Sequence, residues 1–133
     1  MSIKFISWGG TTDGSGDAVV DSPSPITGEI LKIEVEGVAL TDSADFDLNP
    51  VTAAVAGGVL LGEDIVDHGD VGNAALNEFY PRKAVQDITG TAVTFDATNE
   101  IYDYFVVIGA KLRATIAAGG SAKAFLVRVA YRD

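Results

Sequence analysis

Near the C-terminus, apolar and polar residues alternate with a period of two. Leu112, Ala114 and Ile116 interleave with Lys111, Arg113 and Thr115, and Phe125, Val127, Val129 and Tyr131 interleave with Leu126, Arg128, Ala130 and Arg132. That rhythm suits strands with one face on a core and the other in solvent. Gly119, Gly120 and Ser121 lie between the two runs, so the segment predicts a β-hairpin.

The same pattern recurs upstream. Leu31, Ile33 and Val35 alternate with Ile30, Lys32, Glu34 and Glu36, predicting a strand with Leu31, Ile33 and Val35 inward. Ala44 to Leu48 predicts a short strand with Phe46 and Leu48 inward, and a second hairpin is expected across Gly57–Gly58. A loop over 67–73 precedes an expected helical turn at Ala74 to Glu78. Further strands are expected through Val85, at Ala92 to Phe95 and at Tyr102 to Ile108, with a turn at Asp87-Ile88-Thr89-Gly90. Short strands separated by turn signals predict an all-β fold, an antiparallel β-sandwich or jelly-roll-like domain over 26–133. Residues 1–25 read as an extended N-terminal arm: loop formers fill 9–17, and Ser22-Pro23-Ser24-Pro25 removes amide donors. Phe5 and Trp8 in that arm, with Pro23 and Pro25, are candidate interface residues; the Trp8 indole either folds back onto the domain or anchors in a neighbouring subunit, the second being favoured.

Composition narrows the function classes. The chain of 133 residues has no cysteine, which excludes disulfides, thiolate metal sites and cysteine nucleophiles. The longest apolar stretch, Val51 to Leu61, is interrupted by Thr52, Gly57 and Gly58 and is far short of the roughly 20 residues of a spanning helix. The N-terminus carries one Lys and too short an apolar run for a signal peptide. The net charge is −10, unevenly spread: residues 1–80 hold two basic and fourteen acidic side chains, residues 81–133 seven and five. A phosphate backbone repels such a surface, so neither nucleic acid nor membrane is an expected partner. The basic C-terminal strands, through Lys111, Arg113, Arg128 and Arg132, are expected to meet an acidic neighbour.

Candidate chemistry is sparse. The only histidine, His68, sits among Glu63, Asp64, Asp67 and Asp70, but a zinc site needs more His or Cys ligands than the chain holds. The acids do not match the calcium loop of an EF-hand, and the expectation is a solvated loop, with no metal and no cofactor. Asp13-Gly14-Ser15-Gly16-Asp17 lacks the lysine of a phosphate loop and reads as a hinge. No residue set points to catalysis.

One resemblance adds a role. Ser24-Pro25-Ile26-Thr27-Gly28-Glu29-Ile30-Leu31-Lys32-Ile33, Phe79-Tyr80-Pro81-Arg82, the block from Asp87-Ile88-Thr89-Gly90 through Thr94-Phe95-Asp96, and Ala118 to Lys123 resemble small virion proteins encoded among head genes of tailed bacteriophages. This chain departs from the pattern at Phe79, where relatives carry Tyr, and at Ile88-Thr89, where they carry Thr-Ala. The resemblance implies a non-enzymatic β protein of the virion. Its expected role is a capsid decoration (cement) protein on the capsid surface, bound to the major capsid protein or another virion protein, and present in host cytoplasm during assembly. A homo-oligomer is expected, a trimer by lattice symmetry. A head–tail connector, neck or tail-attached protein is the alternative within that class. A carbohydrate- or calcium-binding β-sandwich is the alternative outside it.

Overall fold

The computed structural model describes residues 2–37, 39–51, 64–86, 88–94, 96 and 98–133. Among the described residues ten strands follow in chain order: β1 (Ile3–Thr11), β2 (Ala18–Asp21), β3 (Ile26–Glu36), β4 (Asp45–Val51), β5 (Val66–His68), β6 (Leu76–Phe79), β7 (Arg82–Ala84), β8 (Tyr102–Tyr104), β9 (Val106–Ala117) and β10 (Ala124–Arg132). The fold is all-β, an antiparallel sandwich. One sheet runs β1-β10-β3, with β6 on the far side of β3, and the other runs β2-β9-β4-β5. Strand β9 belongs to both: its start pairs with β3, and Lys111–Ala117 pairs with β4.

The terminal hairpin follows its alternation. Leu112, Ala114, Ile116, Phe125, Val127 and Val129 are all buried, as are Phe46 and Leu48 of β4. In β3 the parity changes. Ile30 is buried with Ile33 and Val35, while Leu31 is only half-buried, because the ladder to β10 slips between Ala130 and Tyr131 and leaves Leu31 as an extra residue. A second slip bends β9. Val107 and Ala110 face the core while Ile108 is exposed, with Gly109 at φ 58, a left-handed conformation that glycine adopts without steric cost.

The N-terminal arm is corrected. Residues 3–11 pair with β10 without interruption, and 18–21 pair with β9. Trp8 does not reach out to a neighbour: it is 7% exposed in the protein's own core, and its indole N–H donates to the Val20 carbonyl at 3.0 Å. The glycines that read as looseness serve close approach, since a Cβ at Gly9 would sit 2.4 Å from the Phe125 carbonyl oxygen. The Asp13 carboxylate accepts from the amides of Ser15 and Asp17, so the expected hinge is a hydrogen-bonded turn. The buried Ser22 ties the chain to β9 before Pro23 and Pro25, its amide donating to the Leu112 carbonyl and its hydroxyl accepting from the Leu112 amide.

Two smaller expectations also change. The helical turn is a 3-10 turn at Val71–Asn73, and Leu76–Phe79 is a strand on β3. The hairpin across Gly57–Gly58 lies outside the described residues.

A third unit projects from the sandwich. Strands β7 and β8 form a separate two-stranded sheet, continued by bridges Gln86↔Ala92 and Thr94↔Glu100. Three residues spaced by eight close it in a ring: Val85 N–H donates to Ile101, Ile101 to Val93, and Val93 to Val85. The three pairings Ala84↔Tyr102, Gln86↔Ala92 and Thr94↔Glu100 follow the same eight-residue offset, so the segment 82–104 is a small pseudo-threefold knob.

Integration of the N-terminal strands makes a direct prediction. Trp8→Ala is expected to cost about 3–5 kcal/mol by urea denaturation, as for other buried large-to-small changes. Deleting residues 1–25 is expected to abolish the cooperative transition. A truncated chain that still unfolds cooperatively would contradict this account.

Candidate functional site

The knob is fastened by one aromatic ring. The Arg82 guanidinium lies 4.0 Å from the centroid of Tyr104, and the Arg132 guanidinium lies 5.2 Å from it. Arg132 is fixed in turn by Glu29 at 2.5 Å, and the Ile30 amide donates to the Phe105 carbonyl at the base of the knob. Cation–π contacts of this kind contribute about 0.5–2 kcal/mol each, more when desolvated. The knob exposes apolar area that no core uses: Ile88 is fully exposed and Tyr102 61% exposed, with Ile101 also at the surface. Its exposed polar turn is set by Asp96, whose carboxylate accepts from the amides of Thr98 and Asn99 and is held down at about 2, first by the Thr98 bond.

The basic residues of the last strands have a different role from the one expected. Arg128 bonds Glu34 at 3.1 Å and approaches Glu36 at 3.8 Å, and Arg113 meets Asp21 at 2.8 Å. With the Arg132–Glu29 pair, these contacts place cation and carboxylate on neighbouring strands of the same chain. The charge that was to meet an acidic neighbour is spent largely within the sheet faces. Of the other candidates, Phe5 is 69% exposed on β1, Pro23 and Pro25 are exposed between β2 and β3, and Lys111 is half-buried opposite Val51. Phe5 shares the outer face of its sheet with Arg128 and Arg132, opposite Ala130 that lies between them, and Pro23 follows Ser22, which is bonded to Leu112 between Lys111 and Arg113. The knob was missed because its spacing of eight matches neither a strand nor a helix period.

Beside the knob's base lies a groove of about 360 Å³, open to solvent, lined by residues 65–68 and 78–81. It joins two stretches that stood out separately in the sequence, the loop of His68 and Phe79-Tyr80-Pro81. The His68 ring packs edge-on against Phe79 at 5.1 Å. Behind it, carboxylate oxygens of Asp47, Asp64 and Asp67 lie within 4.8 Å of one another. Hard cations such as calcium take six to eight oxygens, so three carboxylates would supply part of such a shell. Asn49, itself buried, donates its side-chain amide to Asp64. Asp47 faces Asp67 across the β4–β5 ladder, and its carboxyl is pushed up to about 6. Burial is the first cause, followed by the hydrogen bond to Asp67 and the charges of Asp67, Asp64 and Asp45.

No family model matches the chain, and no curated protein matches it. Among solved structures, it is similar to the Yersinia pseudotuberculosis-derived mitogen at 12% identity and a TM-score of 0.38, over 98% of this chain and 87% of that one. A likeness at that level assigns no function.

The crowded carboxylates predict a pH dependence. The folded chain holds the Asp47 proton more tightly than the unfolded chain does, so this group's contribution is largest below about pH 4 and is lost as pH rises to about 6. Asp47→Asn removes the repulsion. It is expected to raise stability by about 1 kcal/mol at pH 7 after allowance for solvent screening, and to flatten the slope across that window. Urea midpoints at several pH values check this, and an unchanged slope in the variant would contradict it.

Proposed function

We infer that the protein is a non-enzymatic structural component of a tailed-phage virion, a decoration protein that binds the major capsid protein lattice at the particle surface. The observation that carries the reading is the knob. Of the segments that resemble phage head proteins, the block from Asp87 to Asp96 lies within the 82–104 unit, and Phe79-Tyr80-Pro81-Arg82 leads into it from β6, where Phe79 packs against the sandwich core. A small module that exposes Ile88, Ile101 and Tyr102, fastened by arginines over Tyr104, suits a contact with another protein. The net charge of −10 opposes non-specific association before the particle is reached. A neck or head–tail connector role would use the same surface. Copy number separates the two, with hundreds per particle for decoration against about six or twelve for a connector.

The experiment is co-sedimentation with capsids. Ile88→Asp with Tyr102→Ala is expected to weaken binding at least tenfold, with the urea midpoint of the sandwich unchanged. Binding at full strength by the double variant would reject the knob as the contact. Tight binding of Ca²⁺ or of a glycan, with no capsid binding, would move the reading to a ligand-binding sandwich.

A further inference from the structure

The edges of the two sheets are guarded unequally. Strand β5 has three residues, carries Asp67 at its centre and lies between Asp64 and Asp70, and the β2 edge ends in Asp21. Strand β1 is nine residues long, ends its sheet, and has neither proline nor bulge, its register to β10 running unbroken from Ile3 to Thr11. No acidic residue occurs between residues 2 and 12 of a chain whose net charge is −10. Soluble proteins normally blunt such an edge with charge, proline or a bulge. Here the only charge is Lys4.

The ladder shows which backbone groups face outward. The Asp133 amide donates to the Ser2 carbonyl, and the Thr12 amide to the Lys123 carbonyl, so even-numbered residues of β1 face β10. Ile3, Phe5, Ser7, Gly9 and Thr11 therefore present their amides and carbonyls to the open side. All five are exposed, Phe5 by 69% and Ile3 by 60%.

We propose that β1 pairs antiparallel with β1 of a second copy about a two-fold axis at Ser7, joining the two sheets into one. Ser7 is the middle residue of the strand, so this register uses the whole edge. It opposes Ser7 to Ser7, Ile3 to Thr11, and Phe5 to Gly9 of the second copy, all through outward-facing groups. Phe5 then stands opposite Gly9, an aromatic–glycine pairing known to stabilise strands. The antiparallel register also sets Lys4, which pairs with Asp133 of its own chain at 2.5 Å, opposite Gly10 of the second copy, whereas a parallel pairing sets Lys4 against Lys4. The interface is isologous and closes as a dimer, in place of the three-fold ring expected from lattice symmetry, and it does not depend on which partner the knob binds.

Light scattering of the full chain over a concentration series tests this. The wild type is expected at twice the chain mass. Ser7→Pro is expected to be monomeric with an unchanged circular dichroism spectrum, because it removes an amide hydrogen that faces outward. The chain has no cysteine, so Ser7→Cys gives a second, independent reading. Opposed Cα atoms in such a pair lie about 5.5 Å apart, within disulfide range, and a covalent dimer is expected on oxidation. In a mixture of Ile3→Cys and Thr11→Cys chains, cross-links are expected between the two variants, not within either. A monomeric wild type, or a dimer whose Ser7→Cys variant does not cross-link, overturns the proposal.

Discussion

One strand has to serve two sheets. β9 starts against β3 in one layer and ends between β2 and β4 in the other, and it does so by inserting a residue at Ile108–Gly109. Most of the remaining architecture follows from that crossing. The bend lets Val107 and Ala110 stay in the core on either side of it, and Leu112, Ala114 and Ile116 then share one buried sheet face with Phe46 and Leu48 of β4. β3 makes a matching adjustment at Leu31, so that Ile26 and Ile30 before the slip and Ile33 and Val35 after it all point inward. Each slip moves one apolar residue out of the core to keep several others buried, a trade that hydrophobic burial at about 25 cal/mol per Å² readily favours.

Fold and site were legible to different degrees, for physical reasons. Where a strand keeps its parity from end to end, as β10 does, alternation alone gives the buried face. Where a bulge intervenes, the period of two still reveals a strand but assigns the wrong face to half of it, as at Ile30. The first twenty-five residues misled because glycine, serine and proline are common both to unstructured arms and to tight turns. Trp8 and Ile6 were the signal that the segment had something to bury. The arginines misled differently. Sequence shows that Arg128 and Glu34 exist, yet only the pairing of β10 with β3 makes them neighbours across a separation of 94 residues.

The functional surface was harder to read than the fold, because it owes nothing to core periodicity. The knob's ring of Val85, Val93 and Ile101 is held by main-chain bonds, and Ile88 and Tyr102 stay exposed around it. Its base connects to the body through Tyr104, between two guanidinium groups, and through Phe105. The molecule thus divides its tasks. The sandwich supplies stability, the knob supplies exposed apolar contact, and β1 supplies a long margin with Lys4 as its single charge. The crowded carboxylates at Asp47 reduce the stability of the β4–β5 margin at neutral pH, and their repulsion leaves that edge unsuitable for sheet extension.

The account stands on β9 and β1 being parts of one cooperative body. Amide hydrogen exchange on the free chain measures that most directly. Protection is expected along β9 on both sides of Gly109 and at Lys4, Ile6, Trp8 and Gly10, opening together at the free energy of global unfolding. If residues 2–25 exchanged as in an unfolded chain while β9 stayed protected, the N-terminal strands would not belong to the body and the account would be wrong.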